Sequence, residues 1–163
     1  MTKPMLCASK KRCSSMKIPM DQLLDRVRRL GMELRGCSNE EIIEIQNEAG
    51  FALPKAYVEF LKIAGQSAED FLSDASFFYP KMIKLNQFAQ QRFSSRLSTL
   101  PTRFVFFCWQ GDEYRLFCEN SGDDPPILGW NSEVVVVKKF DSFTDFLSDA
   151  ISGYEAWRES SKR

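Results

Sequence analysis

The largest set of groups in this chain that could do acid–base chemistry is its 22 carboxylates, since its 163 residues include no histidine. Without an imidazole the commonest general base and metal ligand are missing, and Ser-His or Cys-His nucleophile pairs cannot form. Acid, lysine or tyrosine chemistry is left. Adjacent acids occur at Asp112/Glu113 and Asp123/Asp124, and paired carboxylates can work as general acid and base. Both pairs lie in glycine- and proline-bearing turns, where acids are ordinarily solvated turn residues, so no catalytic residue is assigned. Cys7, Cys13, Cys37, Cys108 and Cys118 are an odd number without a C-x-x-C pair. They read as reduced thiols, not as a disulfide framework or zinc site. No metal and no cofactor is expected.

The same acids can serve recognition instead. Net charge is zero, yet residues 1–35 carry nine Lys or Arg against three acids, whereas Phe104 to Trp157 holds ten acids and three bases. An acidic surface around aromatic anchors attracts a basic partner quickly and in a salt-sensitive way. The candidate contacts are Asp112, Glu113, Glu119, Asp123, Asp124 and Glu133. Trp109 and Trp130 are hot spots where exposed and core residues where not. Glu40, Glu44 and Glu48, spaced by four on one helix, are either a plain solvated face or a second patch for a basic partner.

The elements that must position these groups follow from pattern. Ser38 and Glu41 form a capping box, and the helix they open turns Ile42, Ile45 and Ala49 inward. Gly50 sits where that helix would end in a left-handed residue, and Pro54 where the next would begin. Tyr57, Phe60, Leu61 and Ala64 then make one apolar stripe, and Gly65 is expected to close the helix in the same left-handed way. Upstream, Leu23, Leu24, Val27, Leu30 and Leu34 mark an accessory helix over Asp21 to Arg35, with Arg26, Arg29 and Arg35 outside.

Asp70 to Leu72 suggest a helical turn, Phe77 to Tyr79 and Met82 to Leu85 strand or extended chain around Pro80, and Asn86 to Leu97 a helix. Phe104 to Trp109 and Tyr114 to Glu119 form a hairpin about Gly111-Asp112, which leaves Cys108 and Cys118 unopposed. Ile127 to Trp130 is a short strand, and Val134 to Val137 reads as a strand buried on both faces. A last helix begins at Ser142 and turns Phe143, Phe146, Leu147, Ala150, Ile151, Tyr154 and Trp157 onto the sheet, with Gly153 weakening it.

These elements compose an α+β domain, a mostly antiparallel sheet of about four or more strands packed by an N-terminal helix pair and a C-terminal helix. Residues 1–18 read as a basic flexible tail, either a solubilising extension or a contact for nucleic acid or a membrane surface. Residues 19–158 form a single domain, with the accessory helix at 19–36, and residues 159–163 a short polar tail. No stretch reaches the ~18 apolar residues of a membrane span and no secretory signal is present, so a cytoplasmic protein is expected. No coiled-coil seam is present, and a monomer is expected.

The series Glu48-Ala49-Gly50, Leu53-Pro54, Tyr57, Phe60-Leu61 and Gly65 resembles the signature helix pair of the SUKH superfamily, the Smi and Knr type of domain. Gly111-Asp112 with Tyr114 and Leu116 is similar to that family's central hairpin. Ser142-Phe143-Thr144-Asp145-Phe146-Leu147 looks like its closing element, with Thr144 in place of the first acid. The likeness covers about residues 38–157. It implies an α+β domain without enzymatic activity. In bacteria such domains mostly act as immunity proteins that bind and neutralise toxins, many of them nucleases, while fungal relatives are regulatory partners in cell-wall signalling. A cognate protein toxin, or another protein partner, is therefore expected.

Overall fold

The computed structural model of the chain describes residues 17–130 and 135–163. Its helices are α1 (Met20–Arg29), α2 (Asn39–Ala49), α3 (Lys55–Ala64), α4 (Lys81–Arg92), the short α5 (Ser94–Leu97) and α6 (Phe143–Ser160). The strands are β1 (Ala75–Ser76), β2 (Arg103–Trp109), β3 (Glu113–Cys118), β4 (Ile127–Trp130) and β5 (Val137–Phe140). All five pair antiparallel in chain order, which gives the expected α+β architecture.

Helix ends follow local chemistry. The Ser38 hydroxyl accepts from the Glu41 N–H at 3.2 Å and the Glu41 carboxylate accepts from the Ser38 N–H at 2.8 Å, so the capping box opens α2. Gly50 ends it at φ 83°, a backbone region where other residues carry a Cβ penalty. Gly65 differs from expectation: it ends α3 in the right-handed region, at φ −64°. Close approach explains it, since a Cβ there would lie 2.5 Å from the Cys37 sulfur and 2.7 Å from the Leu61 carbonyl oxygen.

The accessory helix is shorter than its leucine pattern suggested. It stops at Arg29, because Gly31 takes φ 91° and turns the chain away. Arg35 then forms an isolated bridge to Ser67, its N–H donating to the Ser67 carbonyl at 2.9 Å. Even so, α1 is docked. Leu23, Leu24 and Val27 are buried, and Arg26 pairs with Glu155 of α6 at 2.6 Å.

Side chains alternate across the sheet into two apolar clusters. Phe104, Phe106, Phe117 and Ile127 join α1, α2, α3 and α6 in the larger one, where Tyr57 meets Phe117, Phe143 and Phe106 at ring distances of 5.1, 5.4 and 5.8 Å. Val105, Tyr114, Leu116 and Trp130 face the other way and pack with Leu85, Ala89 and Leu97 of α4 and α5. Met82 to Leu85, expected to be extended, open α4 instead. That helix buries Met82, Ile83, Leu85, Asn86 and Ala89, so its apolar residues spread over two faces and lose a clean helical period.

The valine run also differs. The last strand begins at Val137 and its side chains are largely exposed, while Val135 is 72% exposed. As the final strand of the sheet β5 has only β4 as neighbour, so branched residues there need no burial on both faces. Val134 lies outside the described residues.

Candidate functional site

The hairpin decides which candidate residues meet. Trp109 ends β2 and faces Glu113, the first residue of β3. Between them Gln110 and Gly111 take φ 54° and 71°, and the Asp112 N–H donates to the Trp109 carbonyl at 3.1 Å. The turn thus centres one residue earlier than expected. Trp109 remains 36% exposed, and its indole N–H donates to Asp74, just ahead of β1, at 3.1 Å. Glu113 pairs with Arg115 at 2.9 Å.

Glu119, Asp123 and Asp124 lie at the opposite end of β3, about 17 Å along a strand of this length. The six acids are therefore not one patch. Asp123 is exposed, but its carbonyl accepts from the Ala56 N–H at 2.8 Å in the first turn of α3. Asp124 is turned toward partners within the domain. Its side chain is 10% exposed, pairs with Lys17 at 2.6 Å and accepts from the Thr144 N–H at 3.0 Å, a partner for one of the open amides at a helix start. Glu119 is half-buried, and Glu133 falls outside the described residues.

Trp130 is fully buried and stacks on Tyr114 at 4.7 Å with the planes 10° apart. It belongs to the core and is not a hot spot. Trp157 reverses the other way: expected on the sheet, it is 58% exposed near the end of α6, because the apolar face of that helix outlasts the core beneath it.

The α2 glutamates are partly spent on structure. Tyr79 donates to Glu44 at 2.7 Å, and that bond leads the effects that push the phenol up to about 12. Glu48 accepts from Asn86 at 2.7 Å and Gln87 at 3.0 Å, and Asn86 in turn accepts from the Val105 N–H at 2.9 Å. A polar seam thus ties α2 to α4 and β2. Glu40 is exposed in the first turn of α2, where the helix dipole favours an acid. Among the described residues no group of three or more His, Cys, Asp or Glu is placed to hold a metal ion. Burial raises the pKa of the Cys37 thiol to about 12 and also raises those of Cys108 and Cys118, so none of the three is an activated nucleophile.

The sequence model of the SMI1 / KNR4 family (SUKH-1) matches residues 36–149, a span that runs from the capped helix pair through the hairpin and into α6. The chain belongs to the SMI1 / KNR4 family. Domains of this SUKH type are in general non-enzymatic immunity or regulatory modules. Among curated proteins, none matches the chain. Gly50, Leu53, Pro54, Tyr57, Phe60, Leu61 and Gly65 of the SUKH-1 helix pair, with Ser142, Phe143, Phe146 and Leu147 of its closing helix, are helix caps and core residues here. They carry the fold.

Two features of this SUKH-1 domain escaped the sequence reading. Trp109 shares a groove of about 600 Å³ with Asp70, Asp74 and Trp157, residues more than thirty positions away from it on either side. The second is a basic face. Between Asp74 and Asp112 the chain has five Lys or Arg and no acid, a signal present in the sequence. Lys81, Lys84 and Arg92 are exposed on α4, and the Arg92 and Arg96 guanidinium groups each lie 5.4 Å from the Phe93 ring centroid. Among the described residues no helix is long and apolar enough to cross a membrane.

Proposed function

We propose that the chain is a cytoplasmic, monomeric immunity protein that binds a basic protein toxin, a nuclease being the best-matched class, and blocks it stoichiometrically without catalysis. The observation that carries this reading is the β2–β3 end of the sheet. There a half-exposed indole, Trp109, stands among Asp74, Asp112 and Glu113. A nuclease site is cationic because it holds phosphates, so carboxylates around an aromatic anchor can occupy it in place of nucleic acid. Membership in the SUKH-1 family supports the reading, and the contacts proposed are Trp109, Asp112 and Glu113, with Asp123 and Glu40 as outlying acids.

The reading expects a toxin to be encoded beside the gene, and the test is co-expression with it. Cells should survive with this protein and die without it, and Trp109→Ala combined with Asp112→Asn and Glu113→Gln should forfeit protection. Equal death with and without the protein rejects the reading for that pair. The second reading, a regulatory module without a toxin, is favoured by the basic α4 face, which offers a separate surface to an acidic host protein. A toxin-independent partner lost on Lys81→Glu and Lys84→Glu would support it.

A further inference from the structure

The groove beside Trp109 shows how such a partner would be held. Its walls are Phe71 and Leu72 from the segment before β1, Trp109 from β2, and Tyr154 and Trp157 from α6. A smaller hollow of about 160 Å³ continues it past Trp109 and Leu72 to Asp149. Exposed indoles at both sides of one concavity are unusual for a surface that stays in water. The volume falls in the range of pockets that enclose a ligand or a few peptide side chains.

Gly153 forms part of the wall, in the middle of α6. Glycine there weakens the helix, and the fold does not require it: its φ is not positive and a Cβ would meet no atom within 4 Å. What its bareness preserves is the open volume. Charge then specifies the occupant. Asp70, Asp74 and Asp149 are exposed along the two hollows, while the one base lining them among the described residues, Arg115, is already paired with Glu113.

We infer that this groove is the docking site for a cationic segment of a protein partner, one that seats an aliphatic or aromatic side chain between Trp109 and Trp157 and sets Lys or Arg against Asp70, Asp74 and Asp149. The inference rests on the proposed binding function and names the surface and the chemistry that would carry it. An acidic peptide or an uncharged apolar one does not fit, because the rim would be left with unpaired like charges.

The chain's three tryptophans provide the readout, with buried Trp130 as an internal reference. ¹⁵N-labelled protein is titrated with a dodecapeptide alternating lysine and leucine, and separately with one alternating glutamate and leucine. The indole N–H signals of Trp109 and Trp157 should move together and saturate with the lysine peptide only, while that of Trp130 stays put. Gly153→Met, which fills the groove with a good helix former, should weaken the response about ten-fold or more while leaving the melting temperature no lower. The triple change of Asp70, Asp74 and Asp149 to Asn should weaken it similarly. Stationary indoles, an equal response to the glutamate peptide, or an undiminished response in Gly153→Met would each overturn the groove. None of these would touch the proposed function, which toxin co-expression decides: protection by the wild type that persists in Gly153→Met would leave the function standing and reject the groove.

Discussion

Trp109 ends β2 and Trp130 ends β4, the two strands that flank β3 in one sheet, and they have opposite roles. Trp130 is stacked in the core, so Trp130→Ala should cost about 3–5 kcal/mol of stability in denaturant unfolding. Trp109→Ala should cost much less stability, and its effect should appear in partner affinity. Tyr57 is a third case. Its ring is central to the aromatic core, yet its buried hydroxyl finds no hydrogen-bond partner among the described residues, and an unsatisfied buried polar group costs about 1–3 kcal/mol. Tyr57→Phe should therefore unfold no earlier than the wild type, and by up to about 1 kcal/mol later. A large loss of stability would show that the hydroxyl is satisfied after all. Residue identities of this kind were only half legible in the sequence. Spacing placed both tryptophans on strands, but which face of the sheet each one joins depends on α4 and α5, whose packing no local pattern reports.

At the scale of elements, the caps and turns were the most legible parts because they are local. Ser38 and Glu41 satisfy each other within four residues, and Gly50 and the Gly111 turn announce themselves by residue type. The helix α4 was hidden by burial on two faces, and the internal partners of Asp124, Lys17 and the Thr144 amide, were not legible because they are 107 and 20 residues away. Two expectations belong to this scale. Glu41 and Glu155 have carboxyl pKa values held below the ordinary 4.5, the first by the Ser38 N–H and Gln66, the second by its bond to Arg26. A depressed carboxyl pKa contributes stability above its unfolded value and loses it as pH falls through the folded one. Melting temperature should thus drop as the solution is acidified below about 4.5, and Glu41→Gln with Glu155→Gln should make the drop shallower. In α6, Gly153→Ala should raise stability by up to about 1 kcal/mol. A decrease would mean that the glycine serves the fold and not the groove.

For the whole molecule, the charge map is the main revision. The sequence divides into a basic beginning and an acidic second half, but the folded domain also gathers the exposed bases Lys81, Lys84 and Arg92 on α4 and sets Asp112 and Asp123 at opposite ends of β3, apart from Asp149 beside the groove. Family and fold were readable because the helix pair, hairpin and closing helix keep their order and spacing. The surface was not, because a groove assembled from residues 70–74, 109 and 149–157 has no signature in any one stretch of chain. Steering by separated charge predicts association that slows as salt rises, with dissociation governed by the aromatic anchors. The most direct test of the central claim is a titration of the purified toxin that the proposed function expects to be encoded beside the gene, its activity followed as this protein is added. Activity should fall linearly to zero at one molecule of protein per molecule of toxin, with weaker inhibition at higher salt. Loss of activity at amounts far below stoichiometric would reveal an enzyme, and full activity at excess protein would contradict binding to that toxin.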